Sequence, residues 1–203
     1  MSITPIFKIQ NKKSQMKKYL LIAVTVFSLS AFTINSAWKN DPAHSQLGFT
    51  VSHLGINDIS GFFKDFTVSV NSSKADFSDA VFTLSGKTAS IDTRVEARDN
   101  HLKSADFFDV EKFPELSFKS TSIKKAGKGY KLNGNLTLHG ITKPVMMNLI
   151  YKGKTINPMS KKETVAFQIS GSVKRSDFEI GAKFPDAMVS EIVRIKADGE
   201  FVK

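Results

Sequence analysis

Apolar and polar residues alternate with a period of two along most of the chain after residue 37, which is the pattern of half-buried β-strands. In the first run, Leu47, Phe49 and Val51 share one face, and His53 continues that apolar phase. Later runs repeat the pattern, with apolar phases that include Phe66, Phe82, Leu116, Leu136, Met147, Phe167 and Ile195. Turn signals separate several runs, at residues 127–129, 139–140 and 157–158. The pattern predicts an all-β domain of about eight antiparallel strands.

Eight strands of this kind fold either as a sandwich or as a single closed up-and-down β-barrel, and the alternation fits both. A barrel of this size is just wide enough to fill itself with side chains or to hold one slim ligand. The chain has 17 phenylalanines and 6 methionines, which suit either a packed core or a cavity wall. Composition therefore does not decide between a packed interior and a cavity.

One segment, residues 94–109, departs from the strand pattern. Thr93 and Glu96 have the spacing of a capping box, which predicts a short helix that begins at Arg94. Charged residues outnumber apolar ones in this helix, so little of it can be buried. The chain then turns through two phenylalanines towards a strand predicted over residues 116–120. A polar helix among strands indicates either a lid over the mouth of a barrel or a solvated crossover.

Residues 1–37 have the features of a signal peptide. Two lysines precede an apolar run over residues 19–32, and small residues surround Ala37. The run is short for a membrane span, and an uncleaved anchor is the alternative. Met16 stands where such a peptide normally begins, so it is a second candidate start. We therefore predict export to the periplasm or secretion, with residues 38–203 as a single mature domain.

Export changes the charge that a binding partner would meet. The whole chain has 29 basic and 19 acidic residues, a net charge of +10. Removing residues 1–37 takes away five lysines and no acidic residue, so 24 basic residues face 19 acidic ones and the charge falls to +5. The remaining lysines are scattered over the polar phases of the strands, which argues against a nucleic-acid surface. The chain has no cysteine, which excludes disulfides, thiolate metal sites and covalent c-type haem.

Patterns for catalysis and metal binding are weak in this sequence. There is no G-x-S-x-G, and the S-x-x-K match at residues 122–125 lacks the partner motifs of the enzymes that use it. The four histidines form no H-x-H or H-E-x-x-H pattern; they are His44, His53, His101 and His139. We therefore expect no enzyme activity, no metal and no resident cofactor.

Several sequence blocks follow one another between residue 38 and the C-terminus. They are Trp38 with D-P-x-H-S and F-x-V-x-H-L-G over residues 41–55, G-F-F over 61–63, S-I-D-T, R-D-x-H-L-x-S-x-D-F-F-D and F-P-x-L-x-F-x-S over 90–120, G-x-L-T-L-H-G-x-T-K-P over 134–144, and R-S-D-F over 175–178. In this order and combination, the chain closely resembles the YceI-like family of polyisoprenoid-binding proteins. One departure is Glu179, where the family pattern has a glycine after R-x-D-F.

The resemblance implies a lipocalin-like barrel that encloses a long isoprenoid tail, and it therefore favours a cavity over a packed interior. The apolar phases then place contacts with the tail at Phe49, Val51, Phe66, Phe82, Leu136 and Phe167. A polar head at the mouth needs hydrogen-bond donors, for which we predict Arg98, His101 and Arg175, with His53 as a deeper contact. The alternative is that the two arginines form structural ion pairs with Asp99, Asp106 or Asp177.

These features predict a non-catalytic carrier whose partner is an amphiphilic lipid, such as a polyisoprenoid or an isoprenoid quinone. No nucleic-acid partner is expected, nor any transmembrane span after signal cleavage, and a homodimer is the assembly to test for. Three alternatives stay open: a stress-response barrel with a packed interior, a redox accessory without stable lipid cargo, and an envelope hydrolase.

Overall fold

The computed structural model describes Met1 and residues 37–203, and the predicted signal peptide lies almost entirely outside this part of the chain. These residues contain ten strands: β1 Trp38–His53, β2 Asn57–Phe63, β3 Phe66–Asn71, β4 Val81–Lys87, β5 Ile91–Asp92, β6 Glu115–Ala126, β7 Gly129–Leu138, β8 Ile141–Ile156, β9 Glu163–Lys174 and β10 Ile192–Val202. One helix of the described chain, α1, spans Glu96–Lys103, and 3₁₀ turns occupy Thr88–Ser90 and Ser176–Phe178. No helix within the described residues is long and apolar enough to cross a membrane.

The strands form one antiparallel sheet in the order β10-β9-β8-β7-β6-β4-β3-β1-β2-β5, and the sheet closes because β10 also pairs with β1. Eight strands therefore make a closed barrel, and β2 and β5 extend from the edge of β1. This arrangement confirms the predicted all-β, lipocalin-like barrel with one short helix. Closure pairs the edges that an open sheet would expose, which suits a domain that no disulfide stabilises.

Strand β1 joins both ends of the sheet, and a bulge divides it into two parts. Its pairing with β10 shifts between Asn40 and Ser45, where the intervening residues leave the ladder. The Asp41 carboxylate holds this bulge by accepting hydrogen bonds from the Ala43 N–H (3.0 Å) and from His44 Nδ1 (2.9 Å). Before the bulge β1 pairs with β3, and after it β1 pairs with β2. One edge of β1 pairs with β10 along its length. The bulge lies where the other edge stops pairing with β3 and begins to pair with β2.

Packed aromatic rings fill one half of the barrel. Phe167 lies at the centre, with its ring centroid 5.0 Å from that of Phe77, 5.2 Å from Phe82 and 5.5 Å from Phe201. Trp38 contacts the same group, 5.8 Å from Phe77. None of these five side chains is more than 5% exposed. We call these five residues the packed cluster. They do not fill the other half of the barrel, on the side of α1.

The turns lie where the sequence predicted them. His139 and Gly140 both have positive φ (49° and 72°), which is the geometry of a two-residue hairpin between β7 and β8. The strand predicted over residues 116–120 is longer than expected, because β6 continues to Ala126 and pairs with β7 across the turn at Gly127. This longer hairpin contributes to the wall of the barrel opposite β1.

Candidate ligand-binding cavity

A cavity of about 520 Å³ occupies the half of the barrel that the packed cluster leaves open. Apolar side chains from the inward phases of the strands make up most of its wall. His53, His101 and Met188 line the cavity and are also exposed, so the cavity reaches the surface at the end that carries α1. We call this end the mouth. The volume lies in the usual range for sites that bind small molecules.

All six residues predicted to contact a ligand tail line this cavity, although at different depths. Phe82 and Phe167 belong to the packed cluster and form the floor. Phe49, Val51 and Phe66 are partly exposed to the open space, and Leu136 is buried in the wall. The structure therefore brings the six together around one space, and their role as tail contacts stays a prediction.

Three chain segments meet at the mouth: the β1–β2 turn, the segment that contains α1, and the loop over residues 175–191. The turn and the loop are joined by their backbones, since the Leu54 N–H donates to the Met188 carbonyl (3.0 Å). The α1 segment reaches the same loop through Lys183, whose ammonium donates to the Asp106 carboxylate (2.6 Å). The predicted lid thus rests on a loop that is itself bonded to the barrel wall.

The helix begins two residues later than the sequence predicted, and the predicted capping box is wrong. Arg94 has a left-handed φ of 69°, which is incompatible with an α-helix, so α1 starts at Glu96. The Thr93 hydroxyl donates to the Asp99 carboxylate (2.5 Å) instead of capping the helix, and the Thr93 N–H donates to the same oxygen (2.8 Å). Asp99 therefore holds the turn that precedes its own helix.

Arg98, a predicted head-group contact, lies on α1 and lines the cavity. It already donates twice to Thr93, from Nε to the hydroxyl oxygen (2.7 Å) and from Nη2 to the carbonyl oxygen (2.7 Å). The alternative ion pairs with acidic neighbours are not formed by Arg98 within the described chain. Arg98 therefore stabilises the turn before α1, and within residues 37–203 only its Nη1 is left without a hydrogen bond.

His101 lies one helical turn from Arg98 and also lines the cavity. Its Nε2 is 3.5 Å from the Asp106 carboxylate, and its ring stands edge-on to Phe107, with centroids 5.1 Å apart. The pKa of Asp106 is lowered, mainly by the hydrogen bond from Lys183 and further by His101, so this carboxylate stays charged. A negative charge so close to His101 weakens that histidine as a site for an anionic head group.

His53 was predicted as a deeper contact, and the structure corrects its depth. Strand β1 runs from the packed cluster at Trp38 to the mouth, so its last residue, His53, lies at the surface. A bridge to Val189 connects it to the loop over residues 175–191. The alternation identified the correct face of the strand, whereas the height along the barrel depends on where the packed cluster forms.

Arg175 lines the cavity, but it uses most of its donors within the protein. The side chain is 7% exposed. Its four Nη hydrogens go to backbone carbonyl oxygens, those of Ile180, Gly181, Phe184 and Val189. Its Nε lies 3.9 Å from the Glu191 carboxylate, and the ion pair considered with Asp177 is not formed within the described residues. Arg175 therefore holds the loop over residues 175–191 in shape, and its remaining donor, Nε, is buried without a hydrogen-bond partner.

Glu179, the departure from the family pattern, adopts the conformation that a glycine would adopt more easily. Its φ and ψ are 55° and 25°, in the left-handed region. The turn is nevertheless complete, because the Glu179 N–H donates to the Ser176 carbonyl (3.1 Å) and the Ile180 N–H donates to the Arg175 carbonyl (3.1 Å). The turn therefore forms although Glu179 has a strained, left-handed backbone conformation.

Five polar residues that line the cavity were not predicted as site residues from the sequence: Asn40, Ser45, Gln46, Thr93 and Asp198. Thr93 lines the cavity and is the acceptor for Arg98. Asn40 lines it at the level of the bulge in β1 and is 9% exposed. The signal for Asn40 was available, because it is two residues after Trp38 and so lies on the same inward face. Within the described ranges, no group of three or more His, Asp or Glu side chains could hold a metal ion.

Comparison with known proteins decides the family. Residues 38–201 match the YceI-like domain. The chain belongs to the YceI-like family. A YceI protein of Salmonella arizonae is 39% identical over 171 residues, which cover 81% of this chain and 88% of that protein. The family match spans almost the whole of the barrel domain predicted from residue 38 onwards.

Solved structures related to this YceI-like chain share its fold. BcnA of Burkholderia cenocepacia aligns with a TM-score of 0.71 at 23% identity, covering 79% of this chain and 98% of BcnA. A polyisoprenoid-binding domain from Saccharophagus degradans aligns with a TM-score of 0.58 at 14% identity, covering 82% of this chain and 97% of that domain. At these identities, the likeness shows the same barrel and no more.

Proposed function

We propose that this protein is a non-catalytic carrier that encloses the long apolar tail of an isoprenoid-type lipid, such as a polyisoprenoid or an isoprenoid quinone. The observation that carries the proposal is the cavity of about 520 Å³, with its apolar wall, inside a closed barrel. Each methylene that leaves water for such a space contributes about 0.8 kcal/mol, so a tail can bind tightly without specific contacts.

Family membership supports the same conclusion. The solved domain from Saccharophagus degradans is described as polyisoprenoid-binding, and it shares the barrel that forms the cavity here. Export through the predicted signal peptide, residues 1–37, would make the periplasm of a two-membrane bacterium the working compartment. N-terminal sequencing of the mature protein is expected to begin near Ala37. Recovery of intact residues 1–37 in a membrane fraction would argue for an anchor instead.

The head of the lipid would meet few free donors at the mouth. Arg98 offers Nη1, and His101 and His53 offer ring nitrogens, whereas the remaining donor of Arg175, Nε, is buried. These groups can orient a polar head, as the sequence predicted.

Native mass spectrometry after gentle purification tests the proposal. The wild-type protein should carry a co-purified lipid, and Val51→Trp or Leu136→Trp should lose it because the indole fills the cavity. Val81→Trp is the matched control, since Val81 is an exposed residue of β4 outside the cavity lining. Unchanged lipid loading in both cavity variants, with folded protein in all three, would count decisively against an interior site.

A further inference from the structure

The turn between β1 and β2 exposes two large apolar side chains at the mouth. Leu54 is 53% exposed and Ile56 is 87% exposed. The turn projects from the barrel, because no described atom outside residues 54–56 lies within 4 Å of the place that a Cβ on Gly55 would take. Met188, also exposed, lies beside the turn, since its carbonyl accepts the hydrogen bond from the Leu54 N–H. We call Leu54, Ile56 and Met188 the apolar rim.

Leucine is an unfavourable residue for its position in this turn. Leu54 and Gly55 both have positive φ, 53° and 69°, and the Ile56 N–H donates to the His53 carbonyl (3.2 Å). Turns with two such residues favour Asn-Gly, because asparagine tolerates a left-handed backbone better than a bulky apolar residue does. The hairpin between β7 and β8 has the polar His139 in the matching position. Strained backbone of this kind is concentrated at functional sites, so Leu54 indicates a surface with a function.

The apolar rim borders the opening of the cavity. His53, which precedes the turn, and Met188 both line the cavity and are exposed. Leu54 and Ile56 do not line it, so contact with a cargo inside the cavity does not explain why they are apolar. They extend the apolar surface outwards from the mouth. A tail that enters or leaves the cavity would therefore pass beside the apolar rim.

The size and charge of the apolar rim indicate what it contacts. Three partly exposed side chains cover no more than a few hundred Å², whereas each partner in a stable protein interface buries about 800 Å². Residues 53–58 contain no lysine or arginine, and their one acidic residue, Asp58, pairs with Arg194 at 2.5 Å. A small, projecting apolar tip without free charge suits insertion between the head groups of a bilayer, which needs no complementary shape.

We propose that the apolar rim inserts into the surface of a lipid bilayer and places the mouth against the membrane, so that a lipid tail passes between bilayer and cavity without crossing water. The choice of a bilayer as the partner rests on the proposed carrier function, because a lipid cargo is dissolved in a membrane. Apolar insertion drives the contact, in place of attraction to anionic head groups. The contact is weak and reversible, since only a few side chains take part in it.

Co-flotation with zwitterionic phosphatidylcholine vesicles tests the proposal on residues 38–203, which contain the whole closed sheet. The wild-type protein should float with the vesicles, and Ile56→Ser should weaken its partitioning about tenfold. Leu54→Asn should also weaken it, while its melting temperature is unchanged or higher because asparagine suits the left-handed position. Met159→Ser is the matched control: Met159 is 92% exposed, but it lies between β8 and β9, at the end that holds the packed cluster.

Each outcome of the flotation assay decides between partners. Flotation that persists in about 0.5 M salt supports apolar insertion, and flotation only with anionic vesicles, lost in that salt, would overturn it. Equal flotation of the wild type and both rim variants, or none at all, would overturn the membrane contact. Self-association of the wild type in sedimentation velocity, abolished by Ile56→Ser, would instead place a second copy on the apolar rim.

Lipid loading separates the failure of this inference from the failure of the carrier function. Leu54 and Ile56 do not line the cavity, so both rim variants should retain a lipid supplied in detergent, as measured by native mass spectrometry. Loaded protein that does not float would overturn the membrane contact and leave the carrier function standing. Flotation that depends on the apolar rim, from protein that never carries a lipid, would overturn the carrier function alone.

Discussion

Arg175 provides a test of how the mouth of the barrel is held together. Nη1 donates to the carbonyls of Ile180 (3.2 Å) and Gly181 (2.5 Å), and Nη2 donates to those of Phe184 and Val189 (3.2 Å for Val189). One side chain thus bonds four points along a loop that has little regular structure. Arg175→Met retains the aliphatic stem and removes all four donors.

The size of the effect follows from what happens to the four carbonyl groups. Each one left buried without a donor would cost about 1–3 kcal/mol. Together they would take most of the stability of an ordinary domain, which is about 5–15 kcal/mol. The loop is at the surface and can lift into water, which rehydrates the carbonyls and limits the loss. We therefore expect Arg175→Met to lower the free energy of unfolding by about 3–5 kcal/mol, as when one partner of a buried charged interaction is removed.

Urea unfolding measures the loss, and hydrogen exchange locates it. Amides of residues 176–191 should exchange much faster in Arg175→Met, while those of β7 should change only with global stability. Arg194→Met is the control, because Arg194 is 55% exposed and its ion pair with Asp58 lies at the surface. Such a pair contributes about 0.2–1 kcal/mol. A loss for Arg175→Met no larger than that of the control would refute the reasoning.

Three further predictions concern the lid, a strained turn and acid stability. Farnesol should slow hydrogen exchange in α1 more than in β7, and equal slowing would favour the solvated crossover. Glu179→Gly should raise the melting temperature by about 2–4 °C, since relief of left-handed strain contributes up to about 1 kcal/mol, whereas Glu179→Ala should not. Hydrogen bonds from Ser72 and Ser73 lower the pKa of Asp79 below its ordinary 3.8, so its stabilisation is present above that pH and is lost below it. In urea unfolding, Asp79→Asn should therefore cost less at about pH 3 than at neutral pH, and equal costs would contradict this assignment.

The sequence predicted the inward faces well because a closed barrel simplifies the problem. Once the sheet closes, the apolar phase of every strand faces the same interior, so period-two alternation is enough to place Phe49, Phe66 and Leu136 around one space. The alternation does not determine how deep along the barrel a residue lies. Phe82 has the same pattern as Phe49, yet it lies in the packed cluster, because its depth depends on partners such as Phe167 that come from distant strands.

The hydrogen-bond partners of polar side chains were harder to predict than the apolar faces, because they too depend on how distant segments of the chain fold. The sequence suggested that Arg98 and Arg175 would meet a ligand or an acidic side chain, and the structure gives both of them mainly uncharged oxygen atoms of the chain. Backbone carbonyls have no signature in the sequence, and their positions depend on loop conformation. The left-handed φ of Arg94, which moved the start of α1, is likewise a property of the turn that no spacing of residues encodes.

The division of the barrel into a packed half and an open half has a physical consequence for how the protein can carry a ligand. An empty apolar space costs free energy because the lining side chains lose contacts, and this chain has no cysteine to offset that cost with a disulfide. The packed cluster supplies the compensating contacts at the opposite end, where Phe167 touches four other rings. Residues of the cluster therefore contribute mainly to stability, and the proposed tail contacts Phe49 and Val51 lie outside the cluster.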